Sequence, residues 1–325
     1  MAIIAASDIH LGYMDKDDKH SLSDKDSFMD FLDRVVDKSD ITDFFIVGDF
    51  LDMWRRDAVG VTIENRDVLD RLQELAMNMN VHFMAGNHDY RICNLTMYPY
   101  PFGISECTDP KSGFTISLGH PVTQYHFKHG YDFEPSMLVC EPFFNLLCRT
   151  NDEVGGFESK LYDIFSGMIN RSGGRDIGAG AILAHLESIN LGLLVGSDII
   201  VKYIAPFLSR FKLSAIQDRA LPDKAFLNSG PEKRMSKSGN AFRLEKPASR
   251  DGQRTVLVFG HTHTPFHYID KENRNDIINL GSWVTTYKDH NTYLEIREGV
   301  EILKKYPYGF IKPVYELPGE FSWIA

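Results

Sequence analysis

Five short clusters carry residue types that can do chemistry: Asp8-Ile9-His10, Gly48-Asp49-Phe50-Leu51-Asp52, Gly86-Asn87-His88-Asp89, His129-Gly130 and Gly260-His261-Thr262-His263. Asp8 and His10 are two apart, as are His261 and His263, so on extended chain both members of each pair can point one way. Carboxylate and amide oxygens mixed with imidazole nitrogens suit manganese, iron or zinc, and the lack of thiolate argues against a soft-metal site. Asp8, His10, Asp49, Asn87, His129, His261 and His263 offer more donors than one ion needs, so two ions sharing one carboxylate fit better. Two ions about 3.5–4 Å apart can clamp a phosphoryl group, and water on such an ion drops from a pKa near 15.7 to about 7, giving hydroxide at neutral pH. His88 adjoins Asn87 and is suited to protonating the departing oxygen.

Each cluster alone has a plainer reading. Gly48-Asp49 makes an ordinary turn, and Asn87 an ordinary helix cap. His120 and His126 compete with His129 for the same role. The joint pattern, with four of the five clusters at the ends of predicted strands, argues for a metal site.

The elements that must position these residues are legible nearby. Ala2–Ala6, Phe44–Val47, Val81–Ala85 and Val256–Phe259 are short apolar runs without alternation, which predicts strands covered on both faces. Phe28, Phe31, Leu32, Val35 and Val36 form one helical stripe, and Leu69, Leu72, Ala76 and Met79 a second. Strand–helix alternation predicts an α/β layered sheet, with ligands beyond the carboxyl ends of its strands. Phe114–Leu118 and Gln124–Lys128 predict an antiparallel pair with one wetter face. From 135 to 254 the texture changes to apolar helical and then polar and basic, while the core pattern returns at 255. The expected organisation is a catalytic domain of residues 1–134 and 255–325, with a cap and basic loop inserted at 135–254.

The 325 residues are 43% apolar and 25% charged, ordinary globular values that exclude a disordered or fibrous chain. The net charge of −10 argues against a general nucleic-acid coat protein. Cys93, Cys107, Cys140 and Cys148 form no C-x-x-C pair, which predicts a reduced, cytoplasmic protein. No basic segment precedes Ala2–Ala6 to make a signal peptide. The apolar stretch 177–208 is broken by His185, Glu187, Asp198 and Lys202, so no membrane span is expected.

The ordered set D-x-H, G-D-x-x-D, G-N-H-D, H-G and G-H-T-H resembles the calcineurin-like metallophosphoesterases. That resemblance implies a four-layer α/β/β/α sandwich with a dinuclear site at the strand ends. It implies Asp8, His10 and His263 as ligands of one ion, Asn87, His129 and His261 of the other, and Asp49 as the bridge. His88 matches the family's catalytic histidine, and Asp52 and Asp89 match residues that orient the ligands or His88. Ser7-Asp8-Ile9-His10-Leu11-Gly12 and the run from Gly48 to Trp54 look most like the branch of the UDP-2,3-diacylglucosamine pyrophosphatases, which also carries a helical insertion. Where that branch usually has Arg after Asn, this chain has His88. The repair-exonuclease branch shares Asp-Ile-His-Leu-Gly and Gly-Asn-His-Asp.

The expectation is a phosphoester hydrolase of phosphodiesterase or pyrophosphatase type, using a metal-bound hydroxide and two divalent ions, manganese first, with iron or zinc as alternatives. Its substrate would be a phosphorylated small molecule or a lipid-linked phosphate. Arg234, Lys237 and Arg243 in the basic loop would meet anionic groups. The apolar cap residues would line a groove for a greasy group, pack the cap, or form a dimer interface, and peripheral membrane contact goes with the first of these. A nuclease acting on DNA or RNA is the second enzyme reading. A non-catalytic protein-binding scaffold of the same fold is disfavoured, because His88 and all seven candidate ligands are retained.

Overall fold

The computed structural model describes residues 2–14, 20–53, 58–89, 92, 106–108, 113–119, 122–133, 242–244, 253–270, 275–318 and 321–323. Two mixed sheets dominate them. The first contains β1 (Ala2–Ala6), β2 (Ile41–Val47), β3 (Asn80–Met84), β4 (Glu106–Thr108), β11 (Thr292–Arg297) and β12 (Val300–Lys305), in the order β12-β11-β1-β2-β3-β4. The second contains β5 (Phe114–Leu118), β6 (Thr123–Phe127), β8 (Arg254–Phe259), β9 (Phe266–Asp270) and β10 (Asn275–Asn279), in the order β5-β6-β8-β10-β9. Strands β1, β2, β3 and β4 run parallel, as do β6, β8 and β10. The carboxyl ends of each parallel set therefore gather along one edge.

Period-two alternation divides the core in two. Ile3, Ala5, Phe45 and Val47 face the second sheet and pack with Tyr125, Phe127, Val256, Val258 and Ile278. Ala2, Ile4, Ala6, Phe44 and Ile46 face the other way and pack under helices, against Phe28, Phe31, Leu32, Leu69 and Leu72. Both faces of the first sheet are covered, which is why its strands read as continuous apolar runs. Phe133, Phe266 and Phe321 pack against Phe259. The arrangement agrees with the expected sandwich, with helix, sheet and sheet layers among the described residues. The expected apolar helices of the cap lie outside them.

The first helical stripe folds differently from the expected regular helix. Helix α1 (Lys25–Phe31), capped by Asp24 Oδ1 accepting from Ser27 N at 3.3 Å, passes into a π-helical turn over Leu32–Val36. Asp37 N donates to Leu32 O, five residues back. The wider turn keeps Leu32 and Val36 in the core and moves Val35 to its margin. Helix α2 is Ala58–Glu64, and α3 spans Arg66–Leu75, with Ala76 as its cap and Met79 buried in the turn beyond. The pair β5–β6 is antiparallel as expected, with Thr115 and Ser117 exposed. Within the expected insertion, β7 (Phe242–Leu244) pairs in parallel with β13 (Phe321–Trp323), and Leu244 is buried.

Candidate metal centre

All five clusters follow carboxyl ends of strands: Asp8 after β1, Asp49 after β2, Asn87 after β3, His129 after β6 and His261 after β8. The chains of the first two clusters continue side by side beyond the sheet. Asp8 N donates to Gly48 O, His10 N to Asp49 O and Leu11 N to Phe50 O. Asp8, His10, Asp49, His261 and His263 all take left-handed backbone, with φ between 51° and 65°. Such conformations cost of order 1–3 kcal/mol each and persist where the surroundings over-determine them.

The surroundings do so here. Ser282 Oγ and Trp283 N both donate to Asp8 O, at 2.9 and 3.0 Å. Ser23 Oγ donates to Ile9 O at 2.7 Å. Asp89 accepts from Gly86 N at 2.6 Å and Phe50 N at 2.7 Å, tying the Asn87 loop to the Asp49 loop. Asp89 thus acts on these residues through their backbone. Glycines supply the space: a Cβ on Gly86 would lie 2.1 Å from Asp49 Oδ1, and one on Gly260 would lie 2.2 Å from Asp8 Oδ2. The glycine of one cluster is the seat for the carboxylate of another.

Two groups of side chains converge so that a metal ion could be held by each: Asp8, His10 and His263, and Asp49, His129 and His261. In the first, His10 Nε2 and His263 Nε2 are 3.1 Å apart and Asp8 Oδ1 lies 3.1 Å from His263 Nε2. In the second, His129 Nε2 lies 3.1 Å from Asn87 Oδ1 and 3.3 Å from Asp49 Oδ2. Asp49 Oδ2 also lies 3.7 Å from His10 Nε2, so one carboxylate oxygen faces both groups. A third grouping, His10 with Asp52 and His88, is of another kind. Asp52 Oδ1 lies 3.2 Å from His88 Nδ1, within hydrogen-bond reach, and Asp52 Oδ2 lies 3.6 Å from His10 Nδ1, so one buried carboxylate faces the inner nitrogens of two imidazoles. Of the competing histidines, His126 meets Thr115 Oγ1 at 2.8 Å on the β5–β6 pair, and His120 lies outside the described residues. Lys237 and Arg234 also lie outside, and of Arg243 only its place in β7 is described.

Electrostatics follow from crowding charge in a buried place. Burial works against His10, but the carboxylates of Asp52, Asp8 and Asp49 outweigh it and push the imidazole up to about 10. His129 is pushed up to about 9, burial again being outweighed, here chiefly by Asp49. Burial would raise Asp8, Asp49 and Asp52, yet the surrounding imidazoles hold all three below the usual carboxylate range. Burial lowers His88 and His263. Asp89 is pushed up to about 7 by burial and by the charge of Asp49. The donor set fits a pair of divalent cations. Asp8 Oδ1, the oxygen turned toward His263, is buried without a hydrogen-bond partner among the described residues. A cation also gives two facing imidazole nitrogens a common use.

Residues 1–265 match the family model described as calcineurin-like phosphoesterase. The chain belongs to that family. It is therefore a hydrolase acting on phosphoesters. No curated protein sequence matches it. Solved structures similar at low identity include the following three. A Streptococcus pneumoniae TIGR4 protein described as a predicted phosphoesterase has 12% identity and a TM-score of 0.31, covering 95% of this chain and 94% of its own. An archaeal phosphodiesterase has 14% identity and a TM-score of 0.35, covering 93% and 99%. A dimetal phosphatase from Danio rerio has 12% identity and a TM-score of 0.35, covering 99% of both chains. At these scores the assignment to the phosphoesterase family rests on the family match. No helix among the described residues is long and apolar enough to cross a membrane.

Asn279, Ser282 and Ser23 join the site without having been singled out in the sequence, and Ser7, read there only as the start of a motif, joins it with a contact of its own. Ser7 Oγ donates to Asp8 Oδ2 at 2.5 Å. Asn279 ends the buried strand β10 and Leu280-Gly281-Ser282 follow it, and the apolar run there is only Ile277-Ile278, shorter than those that mark the clusters.

Proposed function

We propose that this phosphoesterase cleaves a phosphodiester or pyrophosphate bond with two divalent cations, manganese foremost. Asp8, His10 and His263 would hold one, Asn87, His129 and His261 the other, and Asp49 both. The observation that carries this reading is the position of Asp49 Oδ2, 3.7 Å from His10 Nε2 and 3.3 Å from His129 Nε2. When bound, such a pair neutralises the non-bridging phosphoryl oxygens and supplies a nucleophile at neutral pH.

The chain's own residues do the rest. Asp52 accepts a hydrogen bond from His88 Nδ1–H, which keeps that proton in place, so in the imidazolium form the second, mobile proton sits on Nε2. As the bond to the leaving oxygen breaks, His88 Nε2 gives that oxygen its proton, and the imidazole recovers one from water. Ser7 and the His261 backbone N–H hold Asp8 Oδ2, at 2.5 and 2.8 Å, which leaves Oδ1 for the cation. His88 N holds Asp49 Oδ1 at 2.8 Å, leaving Oδ2 in the same way.

For the substrate, the resemblance to the UDP-2,3-diacylglucosamine pyrophosphatase branch favours a nucleoside-diphosphate lipid, with Arg234, Lys237 and Arg243 meeting its anionic part. The test is an activity panel with added manganese: an aryl phosphodiester, an aryl monoester, a nucleoside-diphosphate lipid and single-stranded DNA. Preference for the diester and the lipid supports the reading. Preference for the monoester or for DNA overturns the substrate class.

A further inference from the structure

Asn279 closes β10, is fully buried, and gives its side-chain Nδ2 to the loop that carries two of the candidate ligands. Its Nδ2 donates to Gly260 O at 2.8 Å and to Thr262 Oγ1 at 2.9 Å, while its Oδ1 accepts from Gly281 N at 2.9 Å. Gly260 and Thr262 flank His261. Both His261 and His263 are left-handed, at φ 65° and 61°. An imidazole-bearing residue does not settle there unaided, because its Cβ crowds the backbone. Other contacts of the loop include Thr262 N donating to Gly260 O, Thr264 N to Thr262 Oγ1, His261 N to Asp8 Oδ2, Gly260 N to His129 O, and an edge contact of His263 with the Tyr287 ring. Asn279 is a buried side chain from another strand that grips both sides of His261.

We infer that Asn279 is a positioning residue, whose amide locks the 260–263 loop in the conformation that delivers His261 to one cation position and His263 to the other. The inference rests on the two-cation reading for its consequence, though not for the geometry. A residue that orients ligands from behind typically changes metal affinity 10–100-fold when lost. A residue that only fills the core changes stability and leaves affinity alone.

The test compares wild type with Asn279→Asp, Thr262→Val and Thr262→Ser, all full-length. Asn279→Asp keeps shape and acceptor and loses both donors. Thr262→Val removes one partner, and Thr262→Ser keeps the hydroxyl. Two readouts are taken: manganese affinity by calorimetric titration, and amide hydrogen exchange at residues 261–264 in protein stripped of metal. Asn279→Asp should weaken manganese about 10–100-fold and accelerate exchange locally, Thr262→Val should do so to a smaller degree, and Thr262→Ser should behave as wild type. A lowered melting temperature with exchange and affinity unchanged would overturn the inference. If Asn279→Asp does not fold, Thr262→Val against Thr262→Ser decides it by the same readouts. If wild type itself takes up no manganese, the two-cation reading fails, and exchange alone then decides: faster in the variants, the lock stands; unchanged, it falls.

Discussion

The Nε2 atoms of His10 and His263 stand 3.1 Å apart although the residues are separated by most of the chain. In metal-free protein one imidazole must donate to the other. Around a cation both nitrogens become lone-pair donors, with Asp8 Oδ1 beside them. Manganese should therefore bind at two equivalents per chain and raise the melting temperature by mass action. Asn87→Ala and His129→Ala should each saturate near one equivalent, as read by elemental analysis after reconstitution. Two equivalents in both variants would remove them from the second position.

Removing the His88 imidazole should separate metal binding from turnover. His88 N, a backbone group, holds Asp49 Oδ1, and the ring is held by Asp52. His88→Ala should keep its metal content while kcat on a diester with a poor leaving group falls about 10²–10⁴-fold. A good leaving group, needing no proton, should narrow the loss. Equal losses on both substrates would assign His88 a different role.

Gly86 is tested by its smallest substitution. The alanine methyl would meet Asp49 Oδ1 at 2.1 Å and Asp49 N at 2.5 Å, so the loop must shift. Gly86→Ala should lose about 1–3 kcal/mol in denaturant unfolding and bind manganese more weakly. Gly299 is the control, since a Cβ there meets nothing within 4 Å. Its left-handed φ of 78° still makes alanine somewhat unfavourable, but without effect on metal.

Acid sensitivity should come in part from Glu295 on β11. Burial would raise this carboxyl, but its bonds to Lys304 and Arg297 outweigh that and hold it below its ordinary value of 4.5. With the folded value depressed, the unfolded chain binds the proton more readily. The contribution is then complete above the ordinary value and is lost as pH falls through the folded one. Glu295→Gln should destabilise the protein at neutral pH and flatten the acid limb of the stability profile below about pH 4.5. Parallel profiles for the two proteins would exclude this pair as a source of the acid limb.

Much of the site is written locally. Asp8, Asp49, Asn87 and His261 each end a short apolar run, and a strand covered on both faces leaves its mark in consecutive residues, so strands and their polar ends can be read in order. The π turn at Leu32–Val36 could not be, because one extra residue in a turn answers to the sheet beneath it rather than to helix periodicity. Nor could His129 be separated from His126 by spacing. One follows the end of β6 and meets Asp49, while the other sits within β6 and meets Thr115. The sharing of Asp52 by His10 and His88, the seat that Gly86 makes for Asp49, and the grip of Asn279 on both sides of His261 all join residues 17 to 42 positions apart. Sequence determined which groups were available and that they lie at strand ends. Only the packing of two sheets face to face decided which of them meet, because a contact between distant segments has no period along the chain to betray it.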